Sequence, residues 1–332
     1  MERQVDFQYE YFSSVTQQKI EWLWYPYIPY GKLTILQGDP GEGKSTFILN
    51  VAALLTRGRD MPDGYKVSGP QRVVYQSAED NIADTVKPRL VAAMADCDKV
   101  AYIVDDEYPL TLEDSRIEKI IEQTGARLFV LDPLQGYLSQ DSDLTNAGRM
   151  RSQLKRLADI AAKYQCAIVI VGHMNKASGE KNLYRGLGTI DIAAIARSVL
   201  MIARDKDNPS IRYMFPVKSS LAPEGAAVAF SMNDLIGFCW LGKRIINTKD
   251  LKLFADEDNK TVLAAKVMKD VLSANDVMSS HIMRKLKLMD VSPRTINKVK
   301  KELGIESYRR DGSWYWHLPV GSNIITPEED DG

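Results

Sequence analysis

The chain has 332 residues, with 43 Lys and Arg against 44 Asp and Glu, and it is 45% hydrophobic and 26% charged. That is the composition of an ordinary soluble protein long enough for two domains, one able to bury a full α/β core. No apolar run approaches the length needed to span a bilayer, and the N-terminus lacks the basic-then-apolar pattern of a secretory signal, so the chain reads as cytoplasmic with no membrane partner.

Residues 1–21 carry little periodicity and read as an N-terminal arm. Residues 22–32 are rich in Trp, Tyr and Pro. Such a stretch stacks on a base, lies against a neighbouring subunit or covers the sheet edge as a hydrophobic lid; the absence of a polar pattern favours the lid.

The apolar run 33–36 has the length of a buried strand and leads straight into Gly38-Asp39-Pro40-Gly41-Glu42-Gly43-Lys44-Ser45-Thr46. This is a P-loop. Its glycines let successive backbone N–H groups converge on one set of phosphate oxygens, Lys44 reaches the β and γ phosphates, and the Ser45 hydroxyl ligates Mg²⁺. Phe47, Ile48, Val51, Ala52 and Leu55 then repeat at helical spacing up to Gly58, which puts the phosphates of ATP at a helix N-terminus.

A second strand at 72–76 ends beside Glu79 and Asp80. At the ligand-facing end of a parallel sheet, Glu79 is placed to activate water, while Asp80 serves equally well as a helix cap. A short strand is expected at 100–104. The run 127–131 ends in Asp132, the pattern of a carboxylate that holds the Mg²⁺ shell. Residues 150–161 mark the core face of a long helix, and the strand 166–171 ends at His173, either a structural histidine or a reader of the γ-phosphate. The stretch 176–191, with Lys176, Lys181 and Arg185, is a solvated loop or a finger on nucleic-acid phosphates. Strands follow at 199–203, 211–217 and 226–230. Cys97, Cys166 and Cys239 lie by apolar segments without metal-ligand spacing and read as core thiols.

The order of these parts, Gly38 to Thr46, Glu79, Asp132, Gly172-His173, Arg185-Gly186 and the turn 218–225, resembles the RecA-fold motor family. The likeness is to the RepA-like and DnaB-like replicative helicases and related ATPases of phages and mobile elements. It covers roughly 22–240. The resemblance implies Glu79 as the catalytic base, His173 as phosphate sensor, and the loop 176–191 as the lining of a channel that grips single-stranded DNA. It also implies a hexameric ring in which each ATP site is completed by a neighbour. Lys218 matches the family's trans-acting Lys, but Ser220 stands where its Arg is expected, and Arg212 on the preceding strand is the replacement candidate. A ring without such a finger is a slow ATPase.

From residue 256 the pattern changes. Between 260 and 318 basic residues outnumber acidic ones 12 to 6. Helices are expected at 262–272, 276–288 and from Ser292-Pro293 to Gly304, followed by a hairpin around Asp311-Gly312. This is the order of a winged helix, in which Arg294, Lys298, Arg309 and Arg310 face duplex DNA or the module docks a protein. The expected division is therefore arm 1–21, RecA-like ATPase 22–255, winged helix 256–320 and disordered acidic tail 321–332. The fold class is α/β, a doubly wound mostly parallel sheet followed by a small α+β domain. The expected function is an oligomeric Mg²⁺-ATPase acting on DNA, a replicative helicase of a phage or mobile element. An ATP-switched initiator or regulator and a RecA- or RadA-like recombinase are the alternatives.

Overall fold

The computed structural model describes residues 9–138, 147–173, 195–233, 236–246, 251–252, 257–273, 275–289, 291–310 and 312–319. The chain divides into two compact units, Met1–Leu253 and Phe254–Gly332.

The first unit is built on one large sheet. Its strands are β3 (Leu33–Gly38), β4 (Val73–Ser77), β5 (Val100–Ala101), β6 (Leu128–Asp132), β7 (Ala167–His173), β8 (Ser198–Asp205), β9 (Ile211–Ser219), β10 (Ala227–Asn233) and β11 (Gly237–Arg244). They lie in the order β11-β10-β9-β8-β3-β7-β6-β4-β5, with a short strand β12 (Leu251–Lys252) paired to the end of β8. From β5 to β8 every pairing is parallel, and from β8 to β11 every pairing is antiparallel. The order fits the RecA-like α/β fold, with the P-loop strand β3 inside the sheet and one strand, β7, between it and β6.

Side chains divide between the two faces with the period of two that a strand imposes. Leu128 and Val130 of β6 and Val169 and Val171 of β7 pack under α1 (Lys44–Arg57), whereas Phe129, Leu131, Ile168 and Ile170 pack on the opposite face. There they meet α3 (Ser115–Thr124) and α4 (Ala147–Tyr164) through Ile117, Ile121, Leu154 and Leu157. Truncating a buried aromatic such as Phe129 costs about 3–5 kcal/mol, so this double-sided packing fixes strand register firmly. α2 (Lys87–Ala92) follows a single π-helical turn after β4.

The aromatic segment folds as a small hairpin, β1 (Trp22–Trp24) and β2 (Ile28–Pro29). It covers α1 and the last strand of the sheet: the Trp24 ring stacks 6.2 Å from Phe47 and meets Trp240 of β11 edge-on. Tyr27 donates its hydroxyl to the Ala226 carbonyl at 2.7 Å.

Several sequence expectations need correction. The strand expected at 100–104 pairs only over Val100–Ala101. The strand β11 was not foreseen. Of the three thiols only Cys166 is in the core, and burial pushes it up to about 12. Cys97 is half-buried, and Cys239 is exposed on the outermost strand.

The second unit contains α5 (Glu257–Leu272), β13 (Val277–Met278), α6 (Ser279–Leu288), α7 (Pro293–Glu302), β14 (Glu306–Arg310) and β15 (Ser313–His317). The strands order as β13-β15-β14, and Ala264, Met268, Ile282, Leu286, Ile296, Val299 and Trp316 form the core. α5 begins at Glu257, five residues ahead of the helix expected from 262. The helix expected from 276 begins at Ser279, because Val277 and Met278 pair with Trp316 and Tyr315.

Candidate active site

The loop that follows β3 is shaped by two close approaches. A Cβ on Gly38 would lie 2.5 Å from the Ile202 carbonyl oxygen of β8, so that strand can run past the loop only if residue 38 is glycine. Gly43, at φ +83°, caps α1 in the left-handed region, and a Cβ there would lie 2.5 Å from Met232 Sδ. With Gly43 in this conformation, the first turn of α1 opens toward the C-terminal edge of the parallel strands, the edge where such sheets take ligands.

Lys44 is 4% exposed and donates to the carbonyls of Gly38 at 2.9 Å and Asp39 at 2.8 Å. Burial lowers its ammonium below the usual lysine range, opposed by the charges of Asp132, Asp39, Glu42 and Glu79. Asp132 closes β6 and is 5% exposed. Burial pushes its carboxyl up, while hydrogen bonds from the hydroxyls of Tyr75 (2.5 Å) and Ser45 and the charge on Lys44 pull it down. Two hard oxygen donors, the Ser45 hydroxyl and the Asp132 carboxylate, therefore stand side by side. Mg²⁺ takes few protein oxygens, completing its shell with phosphate and water, and this donor set suits it. Among the described residues no cluster of three or more His, Cys, Asp or Glu offers a metal cage of another kind.

β4 and β6 pair in parallel with Ser77 opposite Asp132, so the bend after β4 emerges at the same edge as the P-loop. Glu79 lies exposed in that bend, near enough for its charge to act on Lys44. Asp80 is occupied by Arg89 at 2.6 Å and is not the helix cap: Asn81 caps the next turn, accepting from the amides of Ala83 and Asp84. His173 ends β7 directly opposite Gly38 in register, and its side chain lies outside the described residues. Lys176, Lys181 and Arg185 lie outside them altogether.

The AAA domain family matches residues 4–179, more than half of the chain. This chain belongs to the AAA domain family. Over 151 residues, 44% of the chain, it is 32% identical to the DNA repair protein RadA of Halalkalibacterium halodurans, covering 28% of that protein. Over 171 residues, 50% of the chain, it is 29% identical to the DNA repair protein RadA of Helicobacter pylori, covering 33%. The chain thus spans about a third of the length of these curated relatives. Among solved structures the ATPase domain of G40P aligns with 64% of the chain and 85% of its own, at 15% identity and a TM-score of 0.47.

The matched AAA domain segment ends before β8, yet β8 and β9 carry the remaining cations of the site. Arg204, which sequence reasoning missed, donates through Nε to Glu42 Oε2 and through Nη2 to the Gly41 carbonyl, both at 3.3 Å. Arg212, directly across the strands from Arg204, is 7% exposed. Its Cδ would lie 3.8 Å from a Cβ on Gly43, and its Nη1 reaches the Ser210 carbonyl at 3.3 Å. Burial and the neighbouring Arg204 lower its guanidinium below the usual arginine range. Arg212 therefore backs the P-loop of its own chain.

Lys218 sits at the other end of β9, paired with Val199, and donates to the Ala196 carbonyl at 3.0 Å. Ser220 donates its amide to the carbonyl of Arg197 at 3.0 Å, so an exposed arginine stands beside the position where arginine was expected. Burial, then the charge of Arg197, lowers Lys218.

In the second unit the Ser292 hydroxyl caps α7, accepting from the Thr295 amide at 3.1 Å. With Thr295, Ile296 and Val299 turned inward, Arg294 and Lys298 are exposed. Lys298 and Glu302 approach to 4.0 Å, both largely exposed, a pair worth little in water. Arg309 and Arg310 are exposed on β14, with Arg309 opposite Trp314 and Arg310 opposite Ser313.

Proposed function

We propose that the protein is an oligomeric Mg²⁺-dependent ATPase that acts on DNA, with the activity of a replicative helicase of a phage or mobile element and a hexameric ring as its working form. The observation that carries this reading is the buried hydrogen bond between Ser45 and Asp132 behind a glycine-shaped phosphate loop, with Glu79 at the same sheet edge. Lys44 takes the β and γ phosphates of ATP, Ser45 and Asp132 hold the Mg²⁺ shell, and Glu79 accepts a proton from the attacking water. His173, opposite Gly38, senses the γ-phosphate. Lys218 serves the site of a neighbouring copy, with Arg197 in the place left by Ser220. Lys176, Lys181 and Arg185 grip a single strand, while the second unit, read as a winged helix, holds duplex through Arg294, Lys298, Arg309 and Arg310.

ATP hydrolysis by the intact chain and by Glu79→Gln, with and without single-stranded DNA, tests the reading. Acceleration by the strand, lost in Glu79→Gln, is expected; slow hydrolysis indifferent to single strands, with tight duplex binding, would favour an ATP-switched regulator. The curated relatives named DNA repair protein RadA favour a second reading, a recombination ATPase. Electron micrographs with ATP and DNA separate closed rings from filaments.

A further inference from the structure

On β15, Trp316 and Trp314 are two residues apart and so emerge on the same face. Trp316 is 5% exposed and closes the core; Lys300 of α7 lies over its ring, 5.1 Å from the centroid, and donates to Ser307, its cross-strand partner, at 2.6 Å. Two rungs closer to the hairpin turn, on the same face, the pair is Arg309 and Trp314, and there the packing stops. Trp314 is 56% exposed, with no ring stacked on it among the described residues. The aromatic residues of the opposite face, Tyr308 and Tyr315, are stacked on each other at 5.9 Å. A tryptophan is the residue least economically left in water, because its ring offers the largest area to a partner.

What fits this surface is set by its surroundings. Arg294, Lys298 and Lys301 are exposed on α7, and Arg309 is exposed on β14. The partner must present a flat apolar ring close to negative charge. We propose that Trp314 and Arg309 form a stacking platform for an unpaired nucleobase, so that the C-terminal unit grips DNA where a duplex opens into single strand. The proposal rests on the reading that this unit binds DNA and adds where on the DNA it sits. Inside a duplex both faces of every base are covered by its neighbours, and only a terminal or unpaired base has a face to give. Indole and guanidinium planes both accept such a face, whichever base it is.

The test uses the intact chain and three labelled DNAs of one sequence: a blunt duplex, a fork made of that duplex with two unpaired arms, and a single strand. Affinities are read by fluorescence anisotropy for wild type, Trp314→Ala, Trp314→Phe and Arg309→Ala, after thermal melting has verified folding. In a second fork 2-aminopurine replaces the first unpaired base. Trp314→Ala is expected to weaken fork binding about ten-fold, leave blunt duplex within about two-fold, and abolish the 2-aminopurine emission change that wild type produces. Trp314→Phe should restore both readouts, and Arg309→Ala should weaken the fork preferentially. Equal fork affinity for wild type, Trp314→Ala and Arg309→Ala, or equal losses on fork and blunt duplex, would overturn the platform while leaving DNA binding intact. Wild type binding none of the three would overturn the DNA reading, and the platform with it.

Discussion

Arg204 and Glu42 are 162 residues apart, yet they form an ion pair at 3.2 Å that ties β8 to the outside of the P-loop. The carboxylate stands in the loop proposed to receive phosphates, and the guanidinium neutralises it.

Removing only the guanidinium leaves a half-buried negative charge beside the phosphates, which costs more than removing both partners. Arg204→Ala should weaken ATP binding about ten-fold. Glu42→Gln in the same chain should bring the affinity back to within about three-fold of wild type. Nucleotide titration of the two single variants and the double variant checks this. A double variant as weak as Arg204→Ala would mean that packing, not charge, is what Arg204 contributes.

Burial raises the Asp132 carboxyl, and the Tyr75 hydroxyl opposes that rise. Since the metal needs the ionised form, hydrolysis should fail on the acid side above the ordinary carboxylate range of about 4. Tyr75→Phe should move that limb to still higher pH in a profile of kcat/KM.

For stability the sign is reversed. A carboxyl whose folded pKa exceeds its unfolded one stabilises the fold below the unfolded value, and that contribution is lost as pH rises through the folded value. Asp132→Asn should therefore melt a few degrees above wild type at pH 8, at roughly 2–4 °C per kcal/mol, with the gap closing as pH falls. The same variant should lose Mg²⁺-dependent hydrolysis. A lower melting temperature at pH 8 would show that the buried charge is more than compensated.

Gly43→Ala meets two separate obstacles: a left-handed backbone, worth about 1 kcal/mol or more, and the sulfur of Met232. Met232→Ala removes the second and not the first. The double variant should recover part of the lost melting temperature, and full recovery would show that the backbone contributes no strain.

The proposed role of Arg197 predicts complementation. Arg197→Ala should slow hydrolysis by about 10³-fold or more, and Lys44→Ala should abolish it. Mixed in equal amounts, the two should regain activity, because about a quarter of interfaces then join an intact Lys44 to an intact Arg197. Assembly is followed separately by light scattering. Mixtures that assemble yet stay inactive would rule the role out.

The parts of the protein that declare themselves in sequence are those whose chemistry is local. Gly38 to Ser45 reads as a phosphate loop because its glycines, lysine and serine are contiguous, α1 reads because its apolar residues recur at helical spacing, and β6 reads because it is one continuous apolar run buried on both faces. Tyr75 looked like any core aromatic, since nothing near it announces Asp132 on another strand. Arg204 and Arg212 lie on strands far along the chain, and only the register of β8 against β9 and β3 brings them behind the loop. β11 was missed because it is the outermost strand: Gly237, Gly242 and an incompletely buried face blur its alternation. The capping expected of Asp80 falls to Asn81 because Arg89, nine residues away, claims the Asp80 carboxylate.

β8 is hydrogen-bonded to β3 on one side and β9 on the other. Arg197 precedes it and Arg204 lies near its end, about 23 Å away at the rise of a strand. On the proposed oligomer a load applied at Arg197 would reach Arg204 and its partner Glu42 along this one strand, whose register against β9 shifts on the way, between Val199 and Leu200.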